Sequence, residues 1–180
     1  MQVKDWVVII TGGGTGVGAA AALMLAKDGA RITINYSRSA REAEETAKAC
    51  EDLGAETLVC QGDVSKDEDC RRIVAETMAK WGRIDGLMNN AGTTMLVADN
   101  NLESLSADDF LHIYSVNVVG AYQMTRAVAP HMKAQGRGSI VNTSSVAGGM
   151  GIGSSIAYAA SKGSMNTMTL SLARELAPEI

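Results

Sequence analysis

The sequence predicts a doubly wound, mainly parallel α/β sheet with helices on both faces, and three observations carry that prediction. Strand and helix signals alternate along all 180 residues. The strand segments are short and apolar without strict alternation, as when helices cover both faces of a sheet. The residues least suited to a plain core gather just after strands: Thr11–Gly18, Asp63, Asn89–Gly92 and Ser144–Ser145. Open sheets of this class bind ligands at the carboxyl ends of their strands.

Each element has a local reason. Trp6–Ile10 is an apolar run ending in a glycine turn, hence a buried strand, and Gly16–Asp28 follows as a helix. Arg31–Tyr36 is rich in β-branched residues and reads as the second strand. Ser39 and Glu42 form a capping-box pattern that opens a helix to about Leu53. Glu56–Cys60 is the third strand; Ser65 and Glu68 form a second capping box before a helix ending near Trp81 and Gly82. Ile84–Met88 is the fourth strand, residues 92–106 a loop, and Ser106 the cap of a long helix to about Ala134 that Pro130 is expected to kink. Ser139–Thr143 is the fifth strand, followed by a Gly/Ser-rich loop and a helix over about Ile156–Ala177. No repeat or linker divides the chain, so residues 1–180 are expected to form one domain. The chain stops at Ile180, barely past this helix, where a sheet of this kind often continues with another strand, so either a truncation or a tail that is not observed is expected there.

Composition narrows the function classes. Net charge is −4 and no basic block occurs, which argues against nucleic acid and anionic membrane as partners. Cys50, Cys60 and Cys70 are unpaired in number and spacing, which favours free thiols in a reducing, cytoplasmic compartment. His112 and His131 neighbour no cysteine, so no metal site is expected. The longest uninterrupted apolar run, Ala19–Ala26, is far shorter than a membrane span.

The turn Thr11–Gly18, TGGGTGVG, joins a strand to a helix. Glycines there let backbone approach a pyrophosphate, and the helix start offers unpaired N–H groups at the positive end of its dipole. Gly12, Gly14, Thr15, Gly16, Val17 and Gly18 are therefore candidate cofactor contacts in a Rossmann-like fold; a plain tight turn is the competing reading. The end of the second strand discriminates cofactors. It reads Asn35-Tyr36-Ser37-Arg38-Ser39, with no carboxylate to hold a ribose 2′-hydroxyl. Arg38, with Ser37, is suited to a 2′-phosphate, so NADP is expected ahead of NAD.

Tyr158 and Lys162 are four residues apart on the last helix, about 6 Å along its axis and on one face. Ser145 lies thirteen residues before Tyr158, just past the fifth strand. A phenol, a neighbouring ammonium and a hydroxyl across a loop make a proton-donating site. Alone, the pair also fits an ordinary exposed helix face, and Ser144 competes with Ser145 for the hydroxyl role.

Taken in order, Thr11-Gly12-x-x-x-Gly16-x-Gly18, Asp63-Val64, Asn89-Asn90-Ala91-Gly92, Asn117, Ser145 and Tyr158-x-x-x-Lys162 resemble the short-chain dehydrogenase/reductase family in its compact branch, close in flavour to 3-oxoacyl-carrier-protein reductases and related NADP-dependent carbonyl reductases. The resemblance covers essentially the whole chain. It implies hydride transfer between NADP(H) and a ketone or secondary alcohol, with Tyr158 as general acid or base and Lys162 assisting it and contacting the nicotinamide ribose. It implies that Ser145 holds the substrate oxygen and that Asn117 holds a water leading to Lys162. It places Asp63 and Val64 at the adenine and Asn90, Ala91 and Gly92 beside the cofactor, and it implies a homodimer or homotetramer. The contrasting expectation is a nucleotide-binding protein without turnover.

Overall fold

A computed structural model describes residues 3–97 and 101–180. Five parallel strands, β1 (Val7–Ile10), β2 (Arg31–Tyr36), β3 (Thr57–Gln61), β4 (Gly86–Asn89) and β5 (Ser139–Asn142), lie in the order β3-β2-β1-β4-β5. The chain reverses its direction of travel across the sheet between β1 and β4, and the register Ile10↔Met88 brings the ends of those two strands level. A crevice at that switch point follows from the topology.

The alternation of side chains along β1 divides the core into two layers. Val8 and Ile10 pack with Ile32, Ile34, Ala22, Ala26, Ala43 and Cys50, under helices α1 (Gly16–Lys27) and α2 (Ala40–Asp52). Ile9 faces the other way, with Ile73, Val74, Leu87, Met124 and Val128, under α3 (Asp67–Trp81) and α5 (Ala121–Gln135). Small residues on α1 let that helix sit close to the sheet.

Several local expectations need correction. Ser39 stands at the start of α2 but its side chain makes no capping hydrogen bond, so no capping box forms with Glu42. At α3 the helix begins one residue later than the second box requires, with Lys66 at its N-cap; Ser65 turns back, its N–H and hydroxyl both donating to Asp63 Oδ1 at 3.0 and 2.8 Å. Ser106 does cap: its hydroxyl accepts from the Asp109 N–H while Asp109 accepts from the Ser106 N–H. The long helix is not continuous. It comprises α4 (Ala107–Tyr114), a π-helical turn over Ser115–Gly120 that carries Asn117, and α5, which contains Pro130. The Gly/Ser loop after β5 contains a short helix, α6 (Ala147–Met150), before α7 (Ile156–Leu176). The expected 92–106 loop includes residues 98–100, which lie outside the described residues.

Candidate active site

The glycine turn is held from across the switch point. Thr11 Oγ1 accepts from the N–H groups of Asn90 and Ala91, both at 3.0 Å, and the Asn90 amide donates to the carbonyls of Thr11 and Gly12, both at 3.1 Å. Asn90 thus braces the turn. Gly12 has φ +61°, and a side chain there would meet the Ala91 backbone at 3.1 Å. A Cβ on Gly18 would lie 2.3 Å from the Gly12 carbonyl oxygen, so the first turn of α1 is packed directly on the glycine turn. Gly16, at φ +53°, has nothing within 4 Å of its Cβ direction. Gly14 faces elsewhere: its Cβ would sit 2.8 Å from Ala43 Cα, and its carbonyl accepts from Thr46 Oγ1.

Around this turn lies a cleft of about 810 Å³. Of the sequence candidates it is lined by Gly12, Thr15, Ser37, Arg38, Asp63, Val64, Ala91 and Gly92, whereas Gly14, Gly16, Val17, Gly18 and Asn90 do not line it. The residues present fit a dinucleotide. The N-cap Thr15 makes no side-chain cap, no acid stands in the first turn of α1, and the space above Gly16 is open to a phosphate. Sequence reasoning missed Lys66, Arg72, Thr93 and His112, which also line the cleft. Arg72 and His112 lie within α3 and α4, while Lys66, at the start of α3, and Thr93, just past Gly92, follow strand ends but belong to no motif that would single them out.

The cleft's charges are unevenly committed. Asp69 accepts from the Asp63 N–H at 2.9 Å and from Arg72 at 2.7 Å, and these contacts hold its carboxyl below the usual range. Asp63 accepts twice from Ser65. Among the described residues neither Arg38 nor Lys66 has a carboxylate partner.

At the other end of the cleft the tertiary fold gathers residues from four segments. Lys162 is 3% exposed. Its Nζ donates to the Thr143 carbonyl at 2.7 Å and lies 5.6 Å from the centre of the Tyr158 ring. Burial in this site pushes the ammonium below its ordinary pKa. Asn117 is fully buried; its Oδ1 accepts from the Thr93 N–H at 2.7 Å, and its amide donates to the Thr93 carbonyl and to Ser161 Oγ, both at 3.0 Å. A Cβ on Gly92 would stand 3.4 Å from Asn117 Oδ1 and 3.7 Å from Lys162 Nζ, so Gly92, Asn117 and Lys162 converge. Ser144 Oγ donates to Asn166 Oδ1 at 2.6 Å and to the Lys162 carbonyl at 3.3 Å, tying the β5 loop to α7. Ser145 Oγ accepts from the Ala147 N–H at 3.2 Å.

Comparisons with known proteins agree with this architecture. The family described as short chain dehydrogenase matches residues 6–180. A protein of Streptomyces violaceoruber named as ketoacyl reductase 2 of the granaticin polyketide synthase is 38% identical over 174 residues, covering 97% of this chain and 68% of its own length. A crystal structure of a short-chain dehydrogenase/reductase from Burkholderia xenovorans superposes with a TM-score of 0.95 at 45% identity, over 98% of this chain and 74% of that one. The NAD+-bound structure of a xylitol dehydrogenase gives 0.92 at 34% identity, over 99% and 67%. The chain therefore spans about two thirds to three quarters of the length of these relatives. A parallel sheet of order 3-2-1-4-5, a glycine turn at its switch point and Tyr158 beside a buried Lys162, together with these matches, place this chain in the short-chain dehydrogenase family of oxidoreductases acting at alcohol and ketone carbons.

Proposed function

We propose that this protein interconverts a ketone and a secondary alcohol with NADP(H), using Tyr158, Lys162, Ser145 and Asn117. The carrying observation is the buried Lys162 ammonium held against the Tyr158 ring from the Thr143 carbonyl. When bound, the nicotinamide supplies or accepts the hydride. In reduction, the carbonyl π bond breaks: the carbon gains a hydride with its two electrons, and the oxygen gains the Tyr158 proton. With the hydride that a bound nicotinamide would supply, the ketone would leave as the alcohol and the phenolate left on Tyr158 would regain its proton from solvent. The Lys162 charge stabilises the oxygen that gives up that proton, in a site from which water is largely removed. With Ser144 engaged by Asn166 and the Lys162 carbonyl, Ser145 is the hydroxyl left to hold the substrate oxygen. Asn117 clasps Thr93 and Ser161 from the π-helical turn, and in this reading it holds the water that connects Lys162 to solvent.

Arg38 and Lys66, basic groups in the cleft without carboxylate partners among the described residues, support NADP over NAD. Gly12, Gly14, Thr15, Gly16, Val17 and Gly18 form the pyrophosphate turn in this reading, with Gly14 acting through its packing on α2. Leu111, Val119 and Tyr122, exposed along α4 and its continuation, support pairing with a second copy, which light scattering would detect. In the test of the reading, Tyr158→Phe lowers kcat by about 10²- to 10⁴-fold and leaves NADPH affinity within about threefold. Turnover that survives in Tyr158→Phe removes Tyr158 from the chemistry. Arg38→Ala weakens NADPH binding about tenfold or more and leaves NADH binding nearly unchanged. Equal losses for both nucleotides would refute the 2′-phosphate assignment.

A further inference from the structure

Three consecutive residues after β3 are each gripped from a different element. The Gly62 carbonyl accepts from the Asn35 amide of β2 at 3.0 Å. The Asp63 N–H donates to Asp69 of α3 at 2.9 Å. The Val64 carbonyl accepts from Gln123 Nε2 of α5 at 2.8 Å. Gln123 is 9% exposed, so its amide depends on this acceptor and not on water.

The third grip differs from the other two, because its helix begins where the π-helical turn Ser115–Gly120 ends. Gly120 packs directly on Val64: a Cβ there would meet Val64 Cγ2 at 2.7 Å, Val64 Cβ at 3.0 Å and the Val64 carbonyl oxygen at 3.1 Å. Val64 is β-branched and stiff, so the two move together. The same turn carries Asn117, which holds the Thr93 N–H, the Thr93 carbonyl and Ser161 Oγ. Ser161 donates in turn to the Tyr158 carbonyl at 2.7 Å. An unbroken series of contacts therefore runs from Val64 to the helix of Tyr158 and Lys162.

The order β3-β2-β1-β4-β5 puts the ends of this series in opposite halves of the cleft. Gly62, Asp63 and Val64 line it past β3, whereas Gly92 and Thr93 line it past β4, on the side where Thr143 holds Lys162. A dinucleotide with its nicotinamide beside Tyr158 and Lys162 would have its adenosine half beside Val64.

Resting on the oxidoreductase reading above, we infer that Gln123 is a positioning residue that couples the two halves of the nucleotide cleft. An adenosine phosphate seated beside Val64 fixes the π-helical turn and, through Asn117, tightens the half that takes the nicotinamide. Gln123 itself does not line the cleft. Such coupling is reciprocal, and it is read as a change in the affinity for one half caused by the other.

The test measures binding of reduced nicotinamide mononucleotide and of the adenosine half, as 2′,5′-ADP and as 5′-AMP, separately and together, by calorimetry and nicotinamide fluorescence. Gln123→Met keeps the shape and loses the donor. Asp69→Ala releases Asp63 and leaves the contacts of the π-helical turn in place. In the unaltered protein, the tighter of the two adenosine compounds at saturation is expected to strengthen mononucleotide binding about fivefold. Gln123→Met is expected to weaken the adenosine compound about three- to tenfold and to abolish that strengthening; Asp69→Ala weakens the same compound and keeps the strengthening. No strengthening in the unaltered protein, or strengthening that Gln123→Met keeps, overturns the inference. Amide exchange of the free protein is the second readout, because the Thr93 N–H donates to Asn117 Oδ1 and reports its setting. That amide is expected to exchange about fivefold faster or more in Gln123→Met and at an unchanged rate in Asp69→Ala, with the buried Ile9 amide as the measure of global stability. If neither half binds, the oxidoreductase reading fails, and exchange at Thr93 alone decides whether Gln123 positions Asn117. Selective acceleration in Gln123→Met sustains that role; equal exchange in both variants ends it. Should Gln123→Met not fold, Val64→Ala, which opens the contact with Gly120, is held to the same outcomes.

Discussion

Lys162 and Ser145 belong to different segments, and one atom-free position sets how close those segments come. Gly148 lies on α6 with its Cβ direction aimed at α7, where a methyl group would meet the Lys162 carbonyl carbon at 2.6 Å and the Gly163 nitrogen at 2.8 Å. Real Cβ atoms do not approach backbone so closely, so Gly148→Ala forces α6 away from α7. Ser145 moves with α6, because its carbonyl accepts from the Gly148 N–H at 3.0 Å. The expected outcome is a kcat reduced at least tenfold with nearly unchanged NADPH affinity, and a stability loss of about 1–3 kcal/mol. Gly149→Ala is the control, since nothing lies within 4 Å of that position. Comparable losses in both variants, measured by steady-state kinetics and thermal melts, would argue against Gly148 as a positioning residue. This contact was not legible in the string AGGMG, where Gly148 and Gly149 look alike.

At the scale of elements, the glycine turn divides between binding and packing. Gly14 touches Ala43 of α2, whereas Gly16 faces open space. Gly14→Ala is therefore expected to cost about 1–3 kcal/mol of stability, seen as a lower denaturation midpoint, because it wedges α2 from the sheet. Gly16→Ala crowds no neighbour and bears mainly the left-handed backbone cost of about 1–2 kcal/mol, but its methyl group enters the space offered to a pyrophosphate. Its larger effect is expected on nucleotide affinity, by calorimetry. The reverse pattern would show that the turn is oriented differently toward its ligand. The long helix makes a related point. Residues 107–134 carry a continuous helical signal, yet the π-helical turn at Ser115–Gly120 interrupts it. The turn is stabilised by bonds that Asn117 makes to Thr93 and Ser161, residues that lie 24 and 44 positions away. No local pattern encodes such partners.

For the whole molecule, the buried thiols give a measurable signature. Burial pushes Cys60 and Cys70 up to about 12 and Cys50 up to about 11, from an ordinary value near 9. The folded state keeps these protons while the unfolded chain loses them, so their stabilising contribution is intact below pH 9 and is lost progressively as pH rises toward 11–12. The slope is about 1.4 kcal/mol per pH unit for each thiol. Lys162 acts with the opposite sign: its lowered folded value means the unfolded chain holds the extra proton just below pH 10.5, which favours the fold as pH rises there. One lysine against three thiols leaves a net fall in stability above pH 9, to be followed by urea unfolding at several pH values. At pH 8 an aromatic disulfide reagent should find no fast-reacting thiol in the native protein and three after unfolding. Rapid native labelling would mean that these thiols are not buried.

The alternation of elements, the placement of Thr11–Gly18, Asn89–Gly92 and Ser145 at strand ends, and the Tyr158–Lys162 spacing were determined by sequence alone, because periodicity, turn chemistry and helix geometry act over a few residues. Trp6–Ile10 and Arg31–Tyr36 matched their strands to within a residue for the same reason. Only the tertiary structure decided that Ser39 and Ser65 do not form capping boxes, that Gly14 packs against α2, that Lys66 and Arg72 join the cleft and that Gly148 seats α6 on α7. Each of those outcomes depends on close approach between residues far apart in the chain, and steric exclusion and hydrogen bonding act on distance in space, which a local pattern does not contain.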